Sequence, residues 1–318
     1  MKKLIPLLIL TLSTLSHAWE IDGLGHYKFD NLSHSTYVMH GPLSDPNKQN
    51  QGFMNNPGIV VGSNGVIVID PGSSYQVGQQ VINEIKKITD KPVIATFNTH
   101  VHGDHWLGNQ AILEYYPNTK IYAHPQMIAE AKDGEGDNWV GVMDRLTEGL
   151  SQGTVATYPT DSTTHLQEIV LDNETFRIHN NVTGVAHTNT DIMIEHVGSK
   201  TLFLGDNNFR HRFGRFDGSS DMHGNIEVLQ YAIDLGLDNY VPGHGLSGDA
   251  NEAVQPFLTY LRIIKEESKK GYDEDLADYE IKPFADKRLA EYKDWSGYDE
   301  QLGQHINKML LEIETLDL

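Results

Sequence analysis

The sequence predicts a mixed α/β fold that ends in helices. Three observations predict it: short β-branched runs broken by glycine turns early on, strand and helix patterns that alternate beyond them, and two amphipathic helical patterns after residue 250.

Strands are expected at 37–40, 58–62 and 66–70, the last two joined by the hairpin signal Ser63-Asn64-Gly65. Val77, Val81, Ile82, Ile85 and Ile88 recur at helical spacing, and Pro92 then introduces a strand over 93–97. Helix over 111–115, strand over 120–123 and helix over 126–132 continue the alternation. Residues 133–163, rich in Gly, Asp, Ser and Thr, read as an irregular insertion able to cover or flank a site. Strands resume over 167–171, 175–179, 192–196 and 201–204, with a turn at Gly198-Ser199. Val254, Phe257, Leu258, Leu261 and Ile264 mark one tail helix, and Leu302, Ile306, Met309, Leu310 and Ile313 another. Residues 267–300 between them read as a solvated linker with short helices. The expected division is an export signal at 1–18, a catalytic unit over 19–250 and a helical extension over 251–318.

A chain of 318 residues can bury a full core. Its formal charge of −20 argues against nucleic acid or anionic membrane surfaces as partners. Lys2 and Lys3, an apolar run over 4–15 and Ser16-His17-Ala18 together read as a cleaved export signal. The apolar run is too short for a span that needs ~20 residues, so a periplasmic protein without stable membrane insertion is expected. There is no cysteine, so any metal site must be built from histidine and carboxylate.

Such a site is suggested by Thr99-His100-Val101-His102-Gly103-Asp104-His105, where His100, His102, Asp104 and His105 are four possible ligands within six positions. Imidazole and carboxylate are ligand types that zinc accepts. Three later residues stand in comparable places after strands: His187, Asp206, and His244 between two glycines.

In this order the motifs resemble the metallo-β-lactamase superfamily, over roughly residues 35–250, with Asp70 in Ile69-Asp70-Pro71-Gly72 matching its first motif. The resemblance implies an αββα sandwich with a dinuclear zinc site at one edge. His100, His102 and His187 would hold one ion, Asp104, His105 and His244 the other, and Asp206 would bridge them. Iron or manganese could replace zinc. Two such ions ~3.5 to 4 Å apart make hydroxide available near neutral pH. A bridging hydroxide would then attack an ester, thioester or amide-type bond, with Asp104 as the catalytic residue that orients it and shuttles its proton.

Two β-lactamase subclasses of the family use cysteine where Asp206 stands, and the third generally lacks a bridging carboxylate, so the site is more similar to that of glyoxalase II. A β-lactamase remains an alternative expectation. Residues 99–109 also resemble exported metallohydrolases associated with sulfur oxidation and quinoprotein dehydrogenases, which implies a possible periplasmic redox partner.

Other residues carry two readings each. Asp70 is either a support for the metal loop through hydrogen bonds or purely structural, and the same holds for Thr188 and Asp191. Arg210, Arg212 and Arg215 form a basic island that would either grip an anionic small-molecule substrate or pair with acids such as Asp217 and Asp221. Trp106 walls the pocket or belongs to the core. His211 and His223 are expected to be solvated or packed.

Overall fold

The computed structural model describes residues 23–180, 182 and 184–317; the segment expected as an export signal lies outside them. Two sheets lie face to face. The first contains β1 (Phe29–Ser33), β2 (Thr36–Met39), β3 (Gly58–Val61), β4 (Val66–Ile69), β5 (Val93–Phe97), β6 (Lys120–Ala123) and β7 (Asp161–Ser162), in that spatial order. The second contains β8 (Glu168–Leu171), β9 (Glu174–Asn180), β10 (Ile192–His196), β11 (Thr201–Phe209) and β12 (Asn239–His244), ordered 12-11-10-9-8.

Side chains alternate across each strand, and this assigns both faces of both sheets. In β4, Ile67 and Ile69 join Phe97, Phe176, Ile194 and Phe203 in the core between the sheets. Val66 and Val68 point the other way, onto α1 (Tyr75–Ile88), through Val77, Val81, Ile82 and Ile85, in a core that α3 (Asn109–Tyr115) shares through Ala111 and Ile112. In β10, Ile192 and Ile194 face the first sheet, while Met193 faces a third core. That core lies under α6 (Met222–Asp234), α7 (Gln255–Asp273), α8 (Asp278–Arg288) and α9 (Tyr298–Asp317). The layers are therefore αββα with a helical C-terminal region, as expected. No helix among the described residues is long and apolar enough to cross a membrane.

Both predicted hairpins form: β3 pairs antiparallel with β4, and β10 with β11. Three expectations need correction. The insertion is not irregular throughout, because α5 (Gly136–Leu146) follows directly from α4 (Pro125–Glu130) and the wide turn 131–135. The segment 267–300 is not a solvated linker, since Ile281, Ala285, Leu289, Tyr292 and Tyr298 are buried in the third core. Its many charged residues lie on the outer faces of α7 and α8 and mask this apolar stripe. Strand β11 runs past residue 204 to Phe209, so Asp206 lies within a strand. The pairing with β12 shifts register on either side of Gly205.

Candidate metal centre

Strand β5 ends at Phe97, and the chain then bends at His100 and Val101 before turning from the extended His102 into the short helix α2 (Gly103–Trp106). This change of conformation separates the ligands. His100 and His102 precede the helix and converge on His187, while Asp104 and His105 on the helix turn towards His244. Gly103 is required at the corner: a Cβ there would stand 2.5 Å from that of Trp139 on α5, which packs against the loop.

The donor atoms form two groups, His100, His102, His187 and Asp206, and Asp104, His105, His244 and Asp206, each with its atoms within 4.8 Å of one another. All seven expected residues are thus brought together, and Asp206 belongs to both groups. Its Oδ1 lies 3.0 Å from His105 Nε2 and 3.2 Å from His244 Nε2, and its Oδ2 lies 3.6 Å from His187 Nε2 and 3.9 Å from His100 Nε2. Asp104 Oδ2 lies 3.3 Å from His244 Nε2.

The outward nitrogens determine what the inward ones can do. His244 Nδ1 is 2.8 Å from the carbonyl of Met54, which can only accept, so that nitrogen carries the proton and Nε2 presents a lone pair. His105 Nδ1 is 2.8 Å from Asp70 Oδ2, with the same result. Thr99 Oγ1 gives its own proton to Asp70 Oδ2 at 2.7 Å and therefore accepts from His100 Nδ1 at 3.0 Å. His100 Nε2, His105 Nε2 and Asp206 Oδ1 are buried without a hydrogen-bond partner. With the His105 ring neutral, as a bound cation would require, its 3.0 Å approach to Asp206 brings two acceptors to common ground. His187 Nε2 and His102 Nδ1, 3.1 Å apart, face each other similarly. Lone pairs of imidazole and carboxylate converging in a buried space fit a divalent cation, which would offset their mutual repulsion.

Protonation differs between the groups. Burial is the main cause that holds His100, His102 and His187 below the ordinary histidine value, and His187 is brought to about 3. Burial opposes charge on His105 and His244 too, but Asp206 and neighbouring carboxylates draw both upward. Burial also disfavours the Asp104 carboxylate, yet His105 and His244 hold it at about 2, so it is ionised at neutral pH.

Asp70 supports the loop: besides His105 and Thr99 Oγ1 it accepts the Thr99 amide proton at 2.8 Å. Its own φ of 51° places it in the left-handed region, which Asp tolerates better than most residues. Asp191 shapes the His187 loop by accepting from the Thr188 amide and hydroxyl, each at 2.7 Å, and burial raises it to about 7. Trp106 belongs to the core, its Nε1 donating to the Val101 carbonyl at 2.8 Å.

Two arginines of the basic island are committed elsewhere, and the third, Arg215, is exposed. Arg212 pairs with Asp45 at 2.9 Å, rather than with Asp217 or Asp221, and Arg210 donates to the carbonyls of Leu246 and Ser247. His211 packs on Trp295. A third histidine and carboxylate group, Asp221, His223 and Glu312, is a helix cap. Asp221 accepts from Gly224 N, and Glu312 accepts from the amides of Met222 and His223 and from His223 Nδ1. The carboxylates of this cluster are turned to the positive end of α6, where they serve as helix-capping acceptors.

The sequence reading missed Trp139, whose ring centroid lies 5.1 Å from that of His102. Its only signal was an isolated aromatic in an acidic, glycine-rich stretch. His102 alone of the seven is not fully buried, and it lines a cavity of about 600 Å³ roofed by α5.

Comparison with known proteins agrees with this geometry. The chain is 30% identical over 104 residues to a hydroxyacylglutathione hydrolase from Synechococcus sp. (strain JA-2-3B'a(2-13)), a match covering 30% of this chain and 39% of that protein. The match thus spans well under half the length of that relative. Among solved structures, a double mutant of the sec-alkyl sulfatase PisA1 superposes with a TM-score of 0.64 at 16% identity, covering 90% of this chain and 50% of that one. A metallo-beta-lactamase from Pontibacter korlensis gives a TM-score of 0.58 at 16% identity, covering 74% and 99%. At such identities the structures speak for the fold alone. The family model of the metallo-beta-lactamase superfamily matches residues 51–244, a stretch that holds every one of the convergent donors, and the chain belongs to that superfamily.

Proposed function

We propose that the protein is a dinuclear zinc hydrolase acting on an ester, thioester or amide-type bond. The observation that carries this reading is the sharing of Asp206 between two groups of inward-facing donors. His100, His102 and His187 would hold one ion and Asp104, His105 and His244 the other, with Asp206 common to both. Two zinc ions bound there would supply hydroxide near neutral pH and Lewis acidity for the substrate carbonyl.

The protein's own groups do the rest. Asp104, ionised and beside His105 and His244, is placed to accept a proton from the nucleophile and release it to the leaving group. Asp70, Thr99 and the Met54 carbonyl hold three imidazoles in the tautomer that faces inward. Trp139 and α5 wall the His102 side of the site.

The test is a metal count by elemental analysis, joined to a hydrolysis screen over thioesters, lactones, lactams and sulfate or phosphate esters. Two zinc ions per chain and turnover of a carbonyl substrate are expected, and Asp206→Ala or His187→Ala should remove metal and activity together. Either variant retaining two ions would overturn the ligand assignment.

A further inference from the structure

The cavity that meets the metal centre at His102 has a marked charge. Glu130, Asp133, Glu135 and Asp217 line it, and it contains no Lys or Arg. The carboxylates come from three places: the end of α4, the wide turn before α5, and the loop between β11 and α6. Their hydrogen-bond partners are uncharged: Gln126 and Asn189 for Glu130, Asn138 for Glu135, and Ser219 for Asp217. Of the three arginines that a substrate anion might have met, Arg212 and Arg210 are tied to Asp45 and to backbone carbonyls, and Arg215 is exposed and does not line the cavity.

An independent observation marks this cavity as a ligand site. It opens on His102, the most exposed of the seven candidate donors, whose ring groups with those of the buried His100 and His187. Trp139, its ring tilted at 47° to that of His102, gives it an aromatic wall. Carboxylates focused in a cleft attract and desolvate a cation, and an indole face adds attraction of its own. An anionic substrate arm would meet four like charges there.

We propose that the substrate carries an ammonium or guanidinium group on the arm extending from the scissile bond past His102. Glu130, Asp133, Glu135 and Asp217 hold that group against Trp139. This inference rests on the hydrolase reading for the position of the scissile bond, whereas the cation site itself can be measured without turnover.

The zinc-loaded protein is assayed with the 4-nitrophenyl esters of 6-aminohexanoate, heptanoate and hydrogen adipate, which present a cationic, a neutral and an anionic end. The expected order of kcat/KM is cationic, neutral, anionic, with at least a tenfold preference for the cationic over the neutral ester at low salt. That preference should shrink in 0.5 M NaCl. Glu135→Gln and Asp217→Asn should each lower the cationic-to-neutral ratio several-fold. Asp299→Asn, an exposed change on α9, should leave the ratio as it is, which separates a cavity effect from the general pull of an acidic protein. Calorimetry with hexane-1,6-diammonium against hexane-1,6-diol supplies the second arm, with binding of the diammonium alone and its weakening in Asp217→Asn expected. Hydrolysis with equal or reversed charge preference would overturn the proposal and leave the hydrolase reading intact. No hydrolysis of any ester, with diammonium bound as expected, would count against the hydrolase reading and uphold the cation site; absence of diammonium binding would overturn the site.

Discussion

Asp70 Oδ2 lies 2.8 Å from His105 Nδ1 and 2.7 Å from Thr99 Oγ1, so one oxygen orients two imidazoles, that of His105 directly and that of His100 through the threonine. Asp70→Asn should keep the fold, because Asn also tolerates the positive φ at this position. It replaces an anionic acceptor by an amide, and zinc affinity should fall about 10- to 100-fold. Competition with a chromophoric chelator measures this, and unchanged affinity would show that Asp70 is purely structural.

Gly243 lies so close to Asp206 that a methyl group there would overlap Asp206 Oδ1 and stand 2.8 Å from the Gly205 carbonyl carbon. Overpacking of this kind costs about 1–3 kcal/mol. Gly243→Ala should therefore displace the shared carboxylate and lower the metal count more than it lowers secondary structure, as read by elemental analysis beside circular dichroism. Full retention of metal would refute this account of the glycine.

Glu312 on α9 accepts the Met222 amide at 3.0 Å and that of His223 at 3.3 Å, capping the first turn of α6 from a distant part of the chain. Truncation leaves these donors without their acceptor, so Glu312→Ala should cost about 1–2 kcal/mol in urea unfolding. Glu312→Gln, which keeps an acceptor oxygen, should recover part of the loss. Equal loss in both variants would assign the effect to the charge.

His305 is buried between the Tyr260 hydroxyl at 2.9 Å and the Gly214 carbonyl at 3.0 Å. The carbonyl requires a proton on Nε2, so Nδ1 accepts from Tyr260 and the ring must stay neutral. Burial lowers its pKa from 6.5 to about 4, although the bond to Gly214 favours the charged form. The unfolded chain binds the proton first, so this contribution is present above pH 6.5 and is lost as pH falls from there through 4; its ceiling is about 3 kcal/mol. Metal-free protein should lose more unfolding free energy between pH 7 and 4.5 than His305→Gln does. Parallel profiles would place the acid sensitivity elsewhere.

Much of the fold was legible because its signals are local. The β-branched run over 66–69 and the glycine turn before it specify a strand and its hairpin partner, and both appear as read; the structure adds that the strand is buried on both faces. The α5 helix was not legible, because glycines and acids obscure its period and its stability comes from packing on the loop at Gly103. The segment 267–300 was likewise misread: Ile281, Ala285, Tyr292 and Tyr298 are too sparse to form an obvious stripe until α7 and α9 supply the other walls.

The sequence alone picked out the seven candidate donors, since chemistry without cysteine restricts the ligand types and the loop spacing presents them at strand ends, and the structure brings all seven together. Which nitrogen of each ring faces inward was decided only by the tertiary structure. So was the division of the donors around Asp206. These depend on contacts between residues far apart in the chain, such as His244 with Met54 and His105 with Asp70. The acidic cavity beside His102 has the same origin, as its carboxylates are separated in sequence and act together only where the fold closes them around one space.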